Sequence, residues 1–145
     1  MVKILVIGSG AREHAIIKSL NRSKKEKEIY CLASNNNPGI SGICKEIKII
    51  DINDAQLIKD YSIKQSINIA IIGPENPLAY GVADSLWDAG IGVIGPKKNL
   101  AQIETSKSFT RNLLREYKIP GCPKFKTFTN MEGVKDFLSL LGDNY

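Results

Sequence analysis

Apolar and polar positions along this chain switch repeatedly between two periods. Val2–Ile7 is a near-continuous apolar run, the pattern of a strand covered on both faces. From Ala11 to about Asn21 the period becomes helical, with Ala15, Ile16 and Leu20 on one side. Glu28–Leu32 reads as a second strand, followed by the turn-rich Asn35-Asn36-Asn37-Pro38-Gly39 and a short third strand at Glu46–Ile50. Asn53 or Asp54 caps the next helix, which turns Leu57, Ile58 and Tyr61 inward. Asn68–Ile72 reads as a wholly buried strand. Leu78, Val82 and Leu86 then recur at helical spacing with Trp87 beside them, and Ile91–Ile94 closes the series. This β-α-β-α order predicts an α/β fold: an open parallel sheet with helices on both faces.

The character changes after Gly95. Lys98 to Tyr117 reads as helix with a break near Glu104–Ser106, and Phe109, Leu113 and Tyr117 share a face. Ile119-Pro120-Gly121-Cys122-Pro123 stops it, Phe125–Phe128 is a candidate strand, and Asn130 caps a last helix through Leu141 that Gly142 ends. Asp143-Asn144-Tyr145 supplies no further element. The expected division is therefore a sheet domain over residues 1–97 and an incomplete α+β segment over 98–145.

Composition narrows the class. The chain has 145 residues, 43% hydrophobic and 24% charged, as for an ordinary globular protein with one sizeable core. No apolar run is long enough to span a membrane, and Met1 leads straight into a strand, so neither a signal peptide nor a membrane partner is expected. Cys31, Cys44 and Cys122 are widely spaced with no CxxC pair, which argues against a metal site and fits a reducing, cytoplasmic setting. Cys31 reads as a small buried hydrophobe. The net charge of +5 is spread over loops and helices, and only 7% of residues are aromatic. A nucleic-acid partner, which would want a basic stripe with stacking platforms, is not expected; an anionic small molecule suits the bias better.

Candidate chemistry gathers at strand ends. Gly8-Ser9-Gly10-Ala11-Arg12-Glu13-His14-Ala15 follows the first strand and opens the first helix. Glycines let the backbone turn and approach a ligand, and the helix start offers N–H groups and partial positive charge to phosphate. Arg12 adds a planar cation suited to phosphate. A dinucleotide fingerprint would want a small residue where Glu13 stands and an acid near the end of the second strand, where the chain reads Leu32-Ala33-Ser34-Asn35-Asn36. Glu13 serves either the ligand or the helix start, and His14 reads as a ligand contact or as orienting a neighbour such as Glu75. Gly73-Pro74-Glu75-Asn76-Pro77 occupies the corresponding end of the fourth strand. If strand order reverses between these two strands, both loops border one crevice. Lys107, alone, reads as a helix-surface lysine.

Together, Gly8–Ala15, Gly73-Pro74-Glu75-Asn76-Pro77-Leu78, and Ile94-Gly95-Pro96 followed by Ser106-Lys107-Ser108-Phe109 resemble the N-terminal part of phosphoribosylamine–glycine ligases, from Met1 to about Pro123. The resemblance implies a Rossmann-like domain of the kind that precedes an ATP-grasp fold. It implies an ATP- and magnesium-dependent ligase of purine biosynthesis that joins 5-phosphoribosylamine and glycine through a glycyl phosphate. Carried over, Gly8, Gly10, Ala11, Arg12, Glu13 and His14, with Gly73, Pro74, Glu75, Asn76 and Pro77, would bind the phosphoribosyl substrate, and Lys107 would contact ATP. No catalytic or metal-binding residue is expected within this chain. Where the family has Gly-Asn-Pro/Ala-Gly, this chain has Asn36-Asn37-Pro38-Gly39, and a tolerant Asn is expected to keep the turn. The central ATP-grasp elements are absent from the sequence, so the resemblance implies a fragment or one piece of a split enzyme, binding substrate without catalysing, with the rest in cis or as a separate chain. The alternatives are a nicotinamide-dependent oxidoreductase and a non-catalytic docking module.

Overall fold

The structure is a computed structural model and describes residues 1–142. The expectation for Asp143-Asn144-Tyr145 lies outside those residues. Strands β1 (Val2–Ile7), β2 (Lys27–Ala33), β3 (Glu46–Ile49), β4 (Ile69–Ile72) and β5 (Gly92–Ile94) alternate with helices α1 (Ala11–Arg22), α2 (Pro38–Ser41), α3 (Ala55–Gln65), α4 (Glu75–Ala79) and α5 (Val82–Asp88). Helices α6 (Lys98–Thr105), α7 (Lys107–Glu116) and α8 (Val134–Leu141) follow. The strands form one sheet in the order β3-β2-β1-β4-β5, every neighbouring pair parallel.

The side-chain period of two splits the hydrophobic content between the sheet's faces. On one face Leu5, Ile7, Tyr30, Leu32, Ala70 and Ile72 pack with Ile58 and Tyr61 of α3, with Leu78, Val82 and Leu86 of α4 and α5, and with Ala101 of α6. On the other, Val6, Ile29, Cys31 and Ala33 pack with Ile17 of α1 and Ile40 of α2. Helices therefore do cover both faces, as the pattern predicts.

Several local expectations shift. Ile16 and Leu20 pack half-buried against the core as expected, but Ala15 is exposed, and the fully buried positions of α1 are Glu13 and Ile17. Asp54, not Asn53, caps α3, its Oδ1 accepting from Leu57 N–H at 2.9 Å. Leu57 is 44% exposed, so α3 buries only Ile58, Tyr61 and Ser62. Asn68 precedes β4, and Ile69 is 38% exposed, because α1 and α2 stop short of the β4–β5 end of their face. The stripe Leu78, Val82, Leu86 is buried, but it spans two helices separated at Gly81, whose φ of 81° breaks the helical path. Trp87, beside that stripe, is 45% exposed.

The chain divides into two compact units, Met1–Thr105 and Ser106 onward. In the second, Ser106 Oγ caps α7 by accepting from Phe109 N–H at 3.2 Å, which is why the helical pattern breaks there. Phe125–Phe128 is not a strand: no other strand of that unit pairs with it among the described residues, and an isolated segment has no ladder to join. Its aromatics pack locally instead, Phe128 lying 5.9 Å from Phe137 between ring centres. Asn130 does not cap α8. Its Oδ1 accepts from Glu132 N–H at 3.0 Å in a turn, and Gly133 precedes the helix at a φ of 72°.

Candidate ligand crevice at the strand reversal

Strand β1 sits mid-sheet, with β2 on one side and β4 on the other, so chain order reverses between β1 and β4. The loops leaving these strands are consequently neighbours. Gly8 N–H donates to Leu32 C=O at 2.8 Å and Gly73 N–H donates to Ile7 C=O at 3.1 Å, extending the parallel ladder past the strand ends. The glycine loop is thereby held on both sides before it reaches α1.

Glu13 determines how the two loops meet. It is 4% exposed, and its Oε2 accepts from Gly10 N–H at 2.6 Å, capping α1 from within. Its side chain fills a notch that exists because Gly73 and Gly8 lack side chains. A Cβ on Gly73 would stand 2.0 Å from Glu13 Oε1, and one on Gly8 would stand 2.8 Å from Glu13 Cδ and 2.9 Å from Pro74 Cδ. Gly8 also has a φ of 121°, a geometry that favours glycine. Arg12 ties the loops from outside: its guanidinium Nη1 donates to the Gly73 carbonyl.

Beside this junction lies an open crevice of about 410 Å³. Gly8, Ser9, Gly10 and Glu13 form one wall, and Pro74, Asn76 and Pro77 form another. Ser34, Ile52 and Asn53 complete it from the ends of β2 and β3. Ser9 and Ser34 hydroxyls lie 3.3 Å apart. Asn53 Oδ1 is buried without a hydrogen-bond partner, an amide held for something the chain itself does not provide. The rim thus offers glycine backbone, hydroxyls and amides suited to phosphate and sugar oxygens, set among the apolar side chains of Ile52, Pro74 and Pro77.

Of the sequence-predicted site residues, the crevice gathers Gly8, Gly10, Glu13, Pro74, Asn76 and Pro77. Gly73 and Arg12 lie at the loop junction, Ala11 opens α1 with its side chain exposed, and Glu75 is exposed at the start of α4. His14 is not among the crevice residues: a Cβ on Gly39 would fall against its Cε1, so the imidazole packs on the first turn of α2, at the end of the loop after β2. That loop forms without left-handed Asn geometry. Asn37 caps α2 by accepting from Gly39 N–H at 3.0 Å, and Asn36 Oδ1 accepts from Ser41 Oγ at 2.9 Å. Ser9, Ser34, Ile52 and Asn53 are additions from the structure. Their signal in the sequence is position alone, each lying within about four residues after a strand end. In the second unit, Lys107 borders a depression of about 330 Å³ with Arg111 and Lys126, three cations around Phe125 and Phe128.

A doubly wound parallel sheet with a crevice at its order reversal defines a Rossmann-like α/β domain. Residues 2–104 match the family described as "Phosphoribosylglycinamide synthetase, N domain", and the chain belongs to that family. It is 43% identical over 142 residues to a phosphoribosylamine–glycine ligase of Methanosarcina barkeri, covering 98% of this chain and 33% of that protein. To the ligase of the same name from Methanocaldococcus jannaschii it is 46% identical over 141 residues, covering 97% and 32%. The chain therefore spans about a third of the length of these relatives. Among solved structures, phosphoribosylglycinamide synthetase from Anaerococcus prevotii is similar at a TM-score of 0.62 and 14% identity, over 96% of this chain and 34% of that one. N5-carboxyaminoimidazole synthetase from Staphylococcus aureus, solved with ADP, is similar at 0.71 and 14%, over 97% and 36%. These likenesses concern the fold.

Proposed function

We propose that this chain supplies the phosphoribosyl-binding portion of an ATP-dependent ligase that joins 5-phosphoribosylamine to glycine in the cytoplasm. The observation that carries the reading is the convergence of the β1 and β4 loops on one crevice at the start of α1. A sugar phosphate placed there meets the Ser9 and Ser34 hydroxyls near the helix start with its phosphate, and Asn53 and Asn76 with its hydroxyls. Arg12 holds the Gly73 loop in register for that contact and brings a cation to the rim. Membership of the family supports the identity of the substrates.

ATP supplies the phosphoryl group that activates glycine in such a reaction. Lys107, with Arg111 and Lys126 around one depression, has the charge to hold phosphate oxygens. Magnesium finds no comparable fit: among the described residues no three His, Cys, Asp or Glu side chains gather as a metal site. The remainder of the ligase, in cis or as a separate chain, is where the reading puts the metal and the chemistry.

Titration of the 145-residue chain with glycinamide ribonucleotide, followed by calorimetry and by amide NMR of the glycines, tests this. Saturable binding is expected, with the largest shifts at Gly8, Gly10 and Gly73, and a loss of about tenfold in Asn76→Ala or Arg12→Ala. A folded chain that shows no saturable binding, or full affinity in both variants, refutes it.

A further inference from the structure

The glycine loop rests on a pair of thiols that the ligand crevice does not use. Cys31 is fully buried in β2, and its Sγ lies 3.4 Å from the Gly8 carbonyl oxygen, to which the thiol donates. Cys44 lies on the connection between α2 and β3 and packs against the same hydrophobic cluster as Cys31. Two backbone features pin it there. Lys45 N–H donates to Ile29 C=O at 2.8 Å, and Cys31 pairs with Ile47 across the β2–β3 ladder, so the residue before Lys45 is delivered to the side of β2. Each thiol shifts the titration of the other, as neighbours in one cluster do. Cys44 is half-buried, whereas Cys31 has no exposure, so an incoming reagent reaches Cys44 first.

We propose that Cys31 and Cys44 are a dithiol site that a small disulfide, such as glutathione disulfide, converts to an intramolecular protein disulfide beneath the glycine loop. When Cys44 ionises, the Cys31 thiol proton can turn from the Gly8 carbonyl to the Cys44 sulfur, which holds the Cys44 thiol below its ordinary range, while that same contact and burial push Cys31 up. Cys44 is therefore the attacking group. Its thiolate attacks one sulfur of the small disulfide and expels a thiolate, which takes up a proton. Cys31 then loses its proton and attacks the Cys44 sulfur of the mixed disulfide, expelling the second small thiol. Two protein thiols are oxidised and one small disulfide is reduced to two thiols. The product removes the Cys31 thiol proton and with it the donor to the Gly8 carbonyl.

Trypsin leaves both cysteines in one peptide, Glu28–Lys45, so the test is direct. The 145-residue chain is exposed to glutathione disulfide, quenched with an alkylating reagent at intervals, digested and weighed. A peptide about 2 Da lighter than the reduced form and closed to alkylation is expected, forming about tenfold faster than in the guanidinium-unfolded chain. Cys31→Ser should stop at a Cys44–glutathione mixed disulfide. Closure no faster than in the unfolded chain, two alkylated cysteines throughout, or a wild-type mixed disulfide that never resolves overturns the proposal.

Discussion

Replacing Gly73 with alanine attacks the junction between the two loops at a point where the cost can be worked out. The new Cβ would lie 2.0 Å from Glu13 Oε1, 2.5 Å from Cδ and 2.6 Å from Cγ, so the carboxylate cannot stay. Its displacement combines overpacking, about 1–3 kcal/mol, with loss of the charged hydrogen bond to Gly10 N–H, about 1.5–3 kcal/mol. A loss of about 3 kcal/mol is expected, since the exposed Gly10 N–H recovers water. With a urea slope of about 2 kcal/mol/M, the midpoint falls by about 1.5 M. Trp87, the single tryptophan, lies in the same unit and reports its unfolding by fluorescence. Glu13→Ala alone forfeits the cap, about 1 kcal/mol, plus some packing. The double variant decides the matter: with Glu13 truncated the notch is empty, and the added methyl costs little. The double variant should match Glu13→Ala alone, a coupling of about 3 kcal/mol. Additive losses would show that Gly73 and Glu13 do not share the notch, and the account of the loop junction would be wrong.

Asp54→Ala should lower stability by about 1 kcal/mol through loss of the α3 cap while leaving ribonucleotide affinity intact, whereas Asn53→Ala should do the reverse. Paired urea melts and calorimetry separate the two, and identical behaviour would undo the assignment. Glu28 titrates below its ordinary range because Lys45 and the Tyr30 hydroxyl, the latter at 2.8 Å, donate to its carboxylate. A lowered folded value means this contribution is fully present above the ordinary carboxylate range and is lost as pH falls through the folded value. Lys45→Met should therefore raise the Glu28 midpoint in a carboxyl-carbon NMR titration, and its stability deficit should vanish in strong acid. An unmoved Glu28 midpoint would remove Lys45 as the cause.

The sheet was legible because its signals are local. Val2–Ile7 and the apolar part of Glu28–Leu32 are too uniformly apolar for anything but a strand buried on both faces, and the polar-to-apolar switch after Asn68 marks β4 to within a residue. The pairing of the Gly8 and Gly73 loops followed from topology once the strand order was known. The role of Glu13 could not be read the same way. A glutamate in the first turn of a helix looks identical whether it greets a ligand or fills a notch, and the deciding partner is Gly73, sixty positions along the chain. His14 was obscured for the same reason, its partner Gly39 lying in α2, twenty-five positions on. Phe125–Phe128 failed differently: aromatic and β-branched residues give it the composition of a strand, but a strand also needs a neighbour, and no local pattern encodes one.

Because β1 lies between β2 and β4, its two edges close at very different moments of synthesis. The β2 side can pair once residue 33 has left the ribosome, but the β4 side waits until residue 72 has emerged. For that interval the nascent chain presents an apolar strand, Ile4 to Ile7, with an open row of amides and carbonyls along one border. Slow translation between α2 and β4 would lengthen that exposure, so this stretch of the message is where codon choice should bear most on soluble yield.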